Sequence, residues 1–578
     1  MTLRRTLWTV IVVIVVGALA YTAWLVWQIQ SDLRSAESSA SDLKAAWRDG
    51  DKAAQDSTAA DLAEDASSAQ AHTSGVWWRA MGHLPFVGDD VDAVAAMSRS
   101  LDTISQNAVE PLTEAVGGLD GLVSDGRVDL ETVAGLEQPV SKAHTALVQA
   151  NRDVAGLDSS GYVGPLRTRF ERYQRLVGDL SSGLGSAEKA VTVLPSMVGG
   201  DGPKNYLLLF QNNAEIRGTG GMPGSWALLH ADDGKIEITR QGTANDFPPT
   251  NAPIIPLTAE ETAVYGKELG IYFQDPGWTF DFPRAAELWH AHWDARFPDT
   301  PIDGVVAIDP VAMSYLLEGT GPVTVGDVTL TPDNAVQELL SKPYIEDGPL
   351  AQNAFFAKAA RVIFDAATGS LASPTAFAEG LNRAAGEGRL LVASFNSQVS
   401  AELADTGVEG AMARDDGTTP HVDVAFDDLT GSKMSYYLRY NAGVDAIRCS
   451  GGTQELAGSV TMHQVISPGE AAKLPDAVTG GGEFGTEPGS QYAMVRLYGP
   501  FEGSIAEVRL DGRKLKGTRM LMINGRPVVN VDVLLSSRKD VVLTWDGFSG
   551  PGQTGDGQLR TTPGVAAGAS HWTFKSAC

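Results

Sequence analysis

Cysteine is nearly absent: 578 residues contain two, Cys449 and Cys578. That excludes a disulfide-dense scaffold and any zinc site built on paired Cys-x-x-Cys motifs. Positive charge is also scarce, with 44 Lys and Arg against 71 Asp and Glu and a net charge of -27. Nucleic acid and anionic membrane surfaces both demand cationic protein surface, so neither is expected as a partner. The chain has no Gly-x-Ser-x-Gly elbow, no phosphate-loop lysine motif and no His-Glu-x-x-His, so the ordinary enzyme signatures are missing. His290 and His292 stand two apart on an expected helix and face different sides, so they do not form a metal pair. No metal ligand set is assigned.

Only one run is long and apolar enough to span a bilayer. Residues 7–27, LWTVIVVIVVGALAYTAWLVW, are uncharged and as a helix would cover roughly 30 Å. Arg4 and Arg5 precede the run and Asp32 and Glu37 follow it, which by the positive-inside rule places the N-terminus in the cytoplasm and the bulk of the chain outside. Cleavage as a signal peptide is the alternative, because Ala18-Leu19-Ala20 has the small-x-small form. Both readings put Cys449 and Cys578 in an oxidising compartment, where they can pair; two unrelated buried thiols are the other possibility.

The length calls for several domains. Residues 1–30 form the cytoplasmic tip and transmembrane anchor. Residues 31–200, rich in Ala, Ser, Asp and Leu with apolar positions three and four apart, form an extracellular helical region. Within it, Val76 to Gly88 is a dense apolar break, read either as a helix corner or as a patch on the outer leaflet. Residues 201–410 alternate strands and helices, an α/β (α-β-α) domain with a mixed sheet. From 411 to 578 short alternating strands between Gly, Pro and Asp turns read as a β-sandwich.

The most site-like segment is residues 205–240. An apolar strand, Tyr206 to Phe210, runs straight into Asn212, Asn213, Glu215 and Arg217 and then Gly218, Gly220, Gly221 and Gly224. Glycine weakens regular structure, so such a cluster reads as a site at the strand's carboxyl end. A following hairpin ends in a second guanidinium, Arg240. Arginines beside glycine-rich backbone suit phosphate or pyrophosphate; the competing reading is an internal salt bridge with Glu215 or Asp246. The ligand candidates are therefore Asn212, Asn213, Arg217 and Arg240. Glu215 and Asp246 are the candidate catalytic bases, and Arg217 and Arg240 are expected to converge on one cleft.

The segments LLLFQNNAEIRGTGGMPGSWALL, TFDFPRAAELW and IDGVVAIDPVAMSYLLEGTGPV, with WWRAMGHLPFVGDD upstream and GSKMSYYLRY downstream, resemble DUF4012. That is a domain-of-unknown-function family of actinobacterial envelope proteins with no settled activity. The order of strands, the arginine-ended hairpin and the Glu318-Gly319-Thr320-Gly321-Pro322-Val323 turn also look like the LytR-CpsA-Psr family. That resemblance implies a membrane-anchored enzyme that moves a glycopolymer from a polyprenyl-pyrophosphate carrier to the cell wall, with arginines on the pyrophosphate and aspartates on magnesium. Here Asn212 or Asn213 and Ser225 replace the aspartates, and neutral oxygens hold magnesium poorly. Gln352 and Asn353 replace two arginines.

The expected protein is thus a membrane-anchored envelope protein that binds or scaffolds a lipid-linked or cell-wall glycan. Glycopolymer phosphotransfer is the alternative. No cofactor is established.

Overall fold

The computed structural model describes residues 2–578 apart from Phe86 and Phe484; the side chains of residues 2–17, 19, 349 and 350 also lie outside the described set. The chain forms two compact units. Unit 1 comprises residues 1–122 and 131–192, and unit 2 comprises residues 123–130 and 193–578.

Among the described residues unit 1 is built from seven helices: α1 (Thr2–Asp49), α2 (Lys52–Ser74), α3 (Val76–Met81), α4 (Gly88–Asn107), α5 (Val109–Gly118), α6 (Leu130–Ala155) and α7 (Gly164–Met197), the last running into unit 2. Gly50, at φ 66°, reverses the chain after α1, and the Asp51 carboxylate caps α2 by accepting from the Ala54 N–H. Leu25, Ile29, Ala36 and Leu43 recur at helical spacing and form the buried stripe of α1.

The transmembrane helix in the expected fold class is corrected. No helix among the described residues is long and apolar enough to cross a membrane. Most of the 7–27 run has side chains outside the described set, and from Ala18 onward α1 soon reaches the charged residue Asp32. The fold is a mixed α/β multidomain arrangement containing a half-barrel sheet.

Among the described residues that sheet has seven strands. The hairpin β1 (Val123–Ser124) and β2 (Arg127–Val128) joins β3 (Lys204–Arg217), β4 (Gly220–Asp232), β5 (Lys235–Thr243), β6 (Gly304–Ile308) and β9 (Leu390–Ser394) in the order β1-β2-β5-β4-β3-β6-β9. Only β3 and β6 run parallel. Alternation along β3 sends Leu207 and Leu209 to one face, where Trp289 and Trp293 of helix α9 (Phe282–Arg296) cover them. A shorter helix, α8 (Ala259–Tyr265), precedes α9. Leu208 points the other way, towards Val311 and Leu316 of α10 (Pro310–Thr320). Asp309 starts α10 by accepting from the Ala312 N–H. The small hairpin β7 (Val323–Val325) and β8 (Val328–Leu330) follows, then helices α11 (Ala335–Leu340), α12 (Lys342–Glu346), α13 (Pro349–Ala367) and α14 (Pro374–Gly386).

The rest of unit 2 is two facing sheets. The first sheet contains β10 (His421–Asp428), β13 (Gln491–Tyr498), β16 (Leu521–Ile523), β17 (Arg526–Leu535), β19 (Gly557–Thr561) and β20 (His571–Phe574). The second contains β11 (Leu438–Ser450), β12 (Thr453–Gln464), β14 (Ser504–Leu510), β15 (Arg513–Lys514) and β18 (Val541–Phe548). Val424, Phe426 and Val495 of the first pack with Val460, Leu543 and Trp545 of the second in one core. A disulfide joins Cys449 to Cys578 across a sequence separation of 129.

Candidate functional site

Strand β3 outruns its parallel partner β6. Its parallel pairing with β6 ends at Phe210 opposite Ile308, and its pairing with β4 breaks between Phe210 and Gln211 and again between Asn212 and Ile216. Residues 211–217 therefore form a tongue. Ile216, although paired with Gly221 of β4, sends its side chain into the sandwich core with Val424, Phe426 and Leu438.

The backbone and polar side chains of this segment are hydrogen-bonded to the segments that bury them. The Ile216 N–H donates to Ser435 Oγ at 3.4 Å and the Gly218 N–H to Asp427 Oδ1 at 3.0 Å. Asn213 donates its amide to Asp309 Oδ2 at 2.8 Å and to the Pro563 carbonyl at 3.2 Å. Asn212 donates to the Tyr344 hydroxyl at 2.5 Å. The glycines are there for clearance. A Cβ on Gly218 would lie 2.8 Å from the Trp278 carbonyl oxygen, and one on Gly221 would lie 2.3 Å from the Asn212 carbonyl carbon.

Glu215 and Arg217 neutralise each other. Arg217 Nη2 lies 3.1 Å from Glu215 Oε1, while Lys433 Nζ binds Glu215 Oε2. Arg217 Nη1 donates to the Asp428 carbonyl at 3.1 Å, and the residue is only 6% exposed. Burial opposes the charge on Glu215, but Lys433 and then Arg217 outweigh it and hold its carboxyl below the usual range. Asp428 behaves oppositely: burial and then the nearby Glu215 charge raise it, although Thr430 and the Ser432 N–H donate to it. Asp275 is pushed up to about 7, chiefly by burial, with Glu215 and Glu268 adding to the rise and Arg217 opposing it.

A second buried network braces the same tongue. Arg389 Nη1 binds Asp309 Oδ2 at 2.9 Å and the Gly564 carbonyl at 2.8 Å, and its Nε binds Glu387 at 2.6 Å. Where the resemblance implies a metal aspartate, Asn213 instead hands a hydrogen bond to an aspartate already held by arginine. Among the described residues no three His, Cys, Asp or Glu side chains group to hold a metal ion.

Arg240 does not converge with Arg217. It pairs with Leu228 on β4, which pairs with Leu207 on β3, ten residues along that strand from Arg217. Residues 213–215 bulge out of the ladder, so at about 3.3 Å per residue the two positions stand roughly 20 to 25 Å apart along the sheet. Arg240 is exposed, with its guanidinium 4.8 Å from the Phe297 ring centroid; the exposed Arg296 lies 4.9 Å from the same ring. Among the described residues neither arginine is in an ion pair. Asp246 is committed to local structure, its Oδ2 accepting from the Thr243 N–H and the Trp226 indole.

Residues 201–344 match the family model described as a protein of unknown function (DUF4012). This stretch is a DUF4012 domain. It runs from the start of β3 into α12 and holds Asn212, Asn213, Glu215, Arg217, Arg240 and Asp309, whereas Lys433, Asp428 and Pro563 come from outside it. No curated protein and no solved structure matches the chain. The LytR-CpsA-Psr likeness is thus not confirmed.

Lys433, Asp428, Tyr344 and Arg389 are the site's unforeseen members. Lys433, Asp428 and Tyr344 reach the tongue from distant segments and Arg389 acts on it through Asp309, so no local spacing marks them. The nearest sequence signal is a charge set against an apolar stretch, as with Arg389 before Leu390-Leu391-Val392.

Proposed function

We propose that this is a non-catalytic envelope protein that binds or scaffolds a lipid-linked or cell-wall glycan through an anionic group, at the Arg240–Arg296 face. The observation that carries the reading is the sharing of one aromatic ring, Phe297, by two exposed guanidinium groups without ion-pair partners among the described residues. In a chain of net charge -27 such a pair stands out, and guanidinium forks match phosphate or pyrophosphate oxygens in pairs. The Glu215–Arg217 cluster serves the DUF4012–sandwich junction instead. The Cys449–Cys578 bond supports an oxidising, extracytoplasmic location. No observation favours phosphotransfer, since Glu215 is neutralised and Asp246 closes a capping box.

Mass spectrometry of lipids co-purified with the full chain tests this. Wild type and Arg217→Met are expected to carry the same pyrophosphate-linked glycan, and the double variant Arg240→Ala/Arg296→Ala to lose it. Equal lipid profiles in all three would refute the assignment.

A further inference from the structure

The helical hairpin of unit 1 ends in an exposed aromatic cluster that the glycan reading does not use. Helices α1 and α2 run antiparallel from the Gly50 turn. Cross-links follow in order along them: Gln55 to the Ala46 carbonyl, Ser39 to Asp65, Ser68 and His72 to Asp32, then the Trp24 ring edge-on to His72 at 6.2 Å. At the far end the short helix α3 folds across α1. Trp77 donates its indole N–H to Thr22 Oγ1 at 3.0 Å and meets the Tyr21 ring at 5.8 Å, while Tyr21 stacks on Trp24 at 5.7 Å.

This corner is held from inside. Trp78, next to Trp77, is buried against Leu25 and Ile29 and donates to the Val91 carbonyl at 3.0 Å. Other apolar side chains of α1 and of the 76–84 segment are exposed: Val76 is 77% exposed, Leu84 51% and Trp27 63%. Tyr21, Trp24 and Trp77 are also exposed. Contiguous exposed apolar surface marks an interaction site, because leaving such rings in water has no stabilising return.

We propose that the Tyr21–Trp24–Trp27 face of α1 and the Val76–Leu84 corner form one foot that rests in the headgroup layer of a lipid bilayer. Two features of the chain favour lipid over a protein partner. The rings are those of Trp and Tyr, whose apolar bodies and polar N–H or O–H tips suit the membrane–water interface, mixed with aliphatic side chains. Upstream on the same helix, residues 6–20 carry no charged side chain. The foot has few cations, the exposed Arg79 being the one Lys or Arg within the Val76–Leu84 corner, so binding rests on apolar and aromatic contact. It needs no anionic lipid and is insensitive to added salt. The inference is independent of the glycan reading.

The test uses the full chain, with its disulfide intact, on phosphatidylcholine vesicles. Val76→Cys and Leu84→Cys are each labelled with an environment-sensitive fluorophore. Ala53→Cys, at the opposite end of the 23-residue α2 and roughly 30 Å away, is the control. Probes at 76 and 84 are expected to shift to the blue and to lose about half their emission when the acyl chains are brominated, as shallow burial demands. The probe at 53 is expected to be unchanged. Probes at 76 and 84 that ignore brominated lipid overturn the proposal, whether the patch stays in water or is covered by protein.

Discussion

Replacing Arg217 with methionine separates a structural tongue from a ligand site. The substitution keeps most of the aliphatic volume but removes the bond to Glu215 and the donation to the Asp428 carbonyl. Breaking a buried pair by removing one partner typically costs about 3 to 5 kcal/mol. Lys433 still holds the other Glu215 oxygen, which puts the loss at the low end, about 3 kcal/mol. Unit 2 has roughly 400 residues, so at about 2.1 cal/mol/K per residue its unfolding entropy is about 0.8 kcal/mol/K and the expected fall in Tm is about 4 °C. Scanning calorimetry of the full chain, following the transition of unit 2, measures this. Glu215→Gln and the double variant complete a cycle in which the two losses add to more than the combined change, because they remove one shared interaction. An unchanged Tm for Arg217→Met, with additive losses, would refute the account and return Arg217 to the list of free anion ligands.

Other consequences follow from the same junction. Ile216→Ala empties a core position in the sandwich from a strand of the other sheet; a loss of about 3 kcal/mol is expected, and an unaltered denaturation midpoint would show that the tongue is not anchored there. Cys578→Ser opens a bridge spanning 129 residues, worth about 5 kcal/mol on the loop-entropy model, and calorimetry with and without reductant should show wild type alone losing Tm on reduction. Asp275 has a carboxyl raised to about 7 from its ordinary 3.8, so the fold favours its protonated form. That contribution is complete below about pH 4 and is lost as pH rises through 7, the unfolded chain releasing the proton earlier. Guanidinium unfolding at pH 5 and 8 should show a decline that Asp275→Asn reduces; equal slopes in both proteins would sink the assignment.

Local signals were legible where the chemistry is local. The Tyr206–Phe210 run forms a strand because its alternate residues meet helices on both faces. Pro283 begins α9 with the donor-free first turn that a helix start tolerates. Asp309 reads as a cap and is one. The polar density at 212–217 was equally visible, but its meaning was not. Glu215 meets Lys433 across 218 residues of sequence, and Arg217 meets the Asp428 carbonyl across 211. A guanidinium aimed at a ligand and one aimed at a buried carboxylate look the same in one dimension. Arg240 shows the converse: its exposed place on Phe297 depends on which residue of β4 it faces.

What the sequence determined by itself was therefore whatever depends on neighbours within a few residues: strand and helix periodicity, caps, the acidic balance, the shortage of cysteine and the DUF4012 pattern. The tertiary structure alone decided that the end of β3 packs against the sandwich, that the site-like residues are sealed there as counter-charges, and that Arg217 and Arg240 stand apart. The reason is physical. Burying the end of a strand between two layers strands its backbone and charged groups away from water, and the groups that satisfy them are supplied by whichever distant segment folds against it.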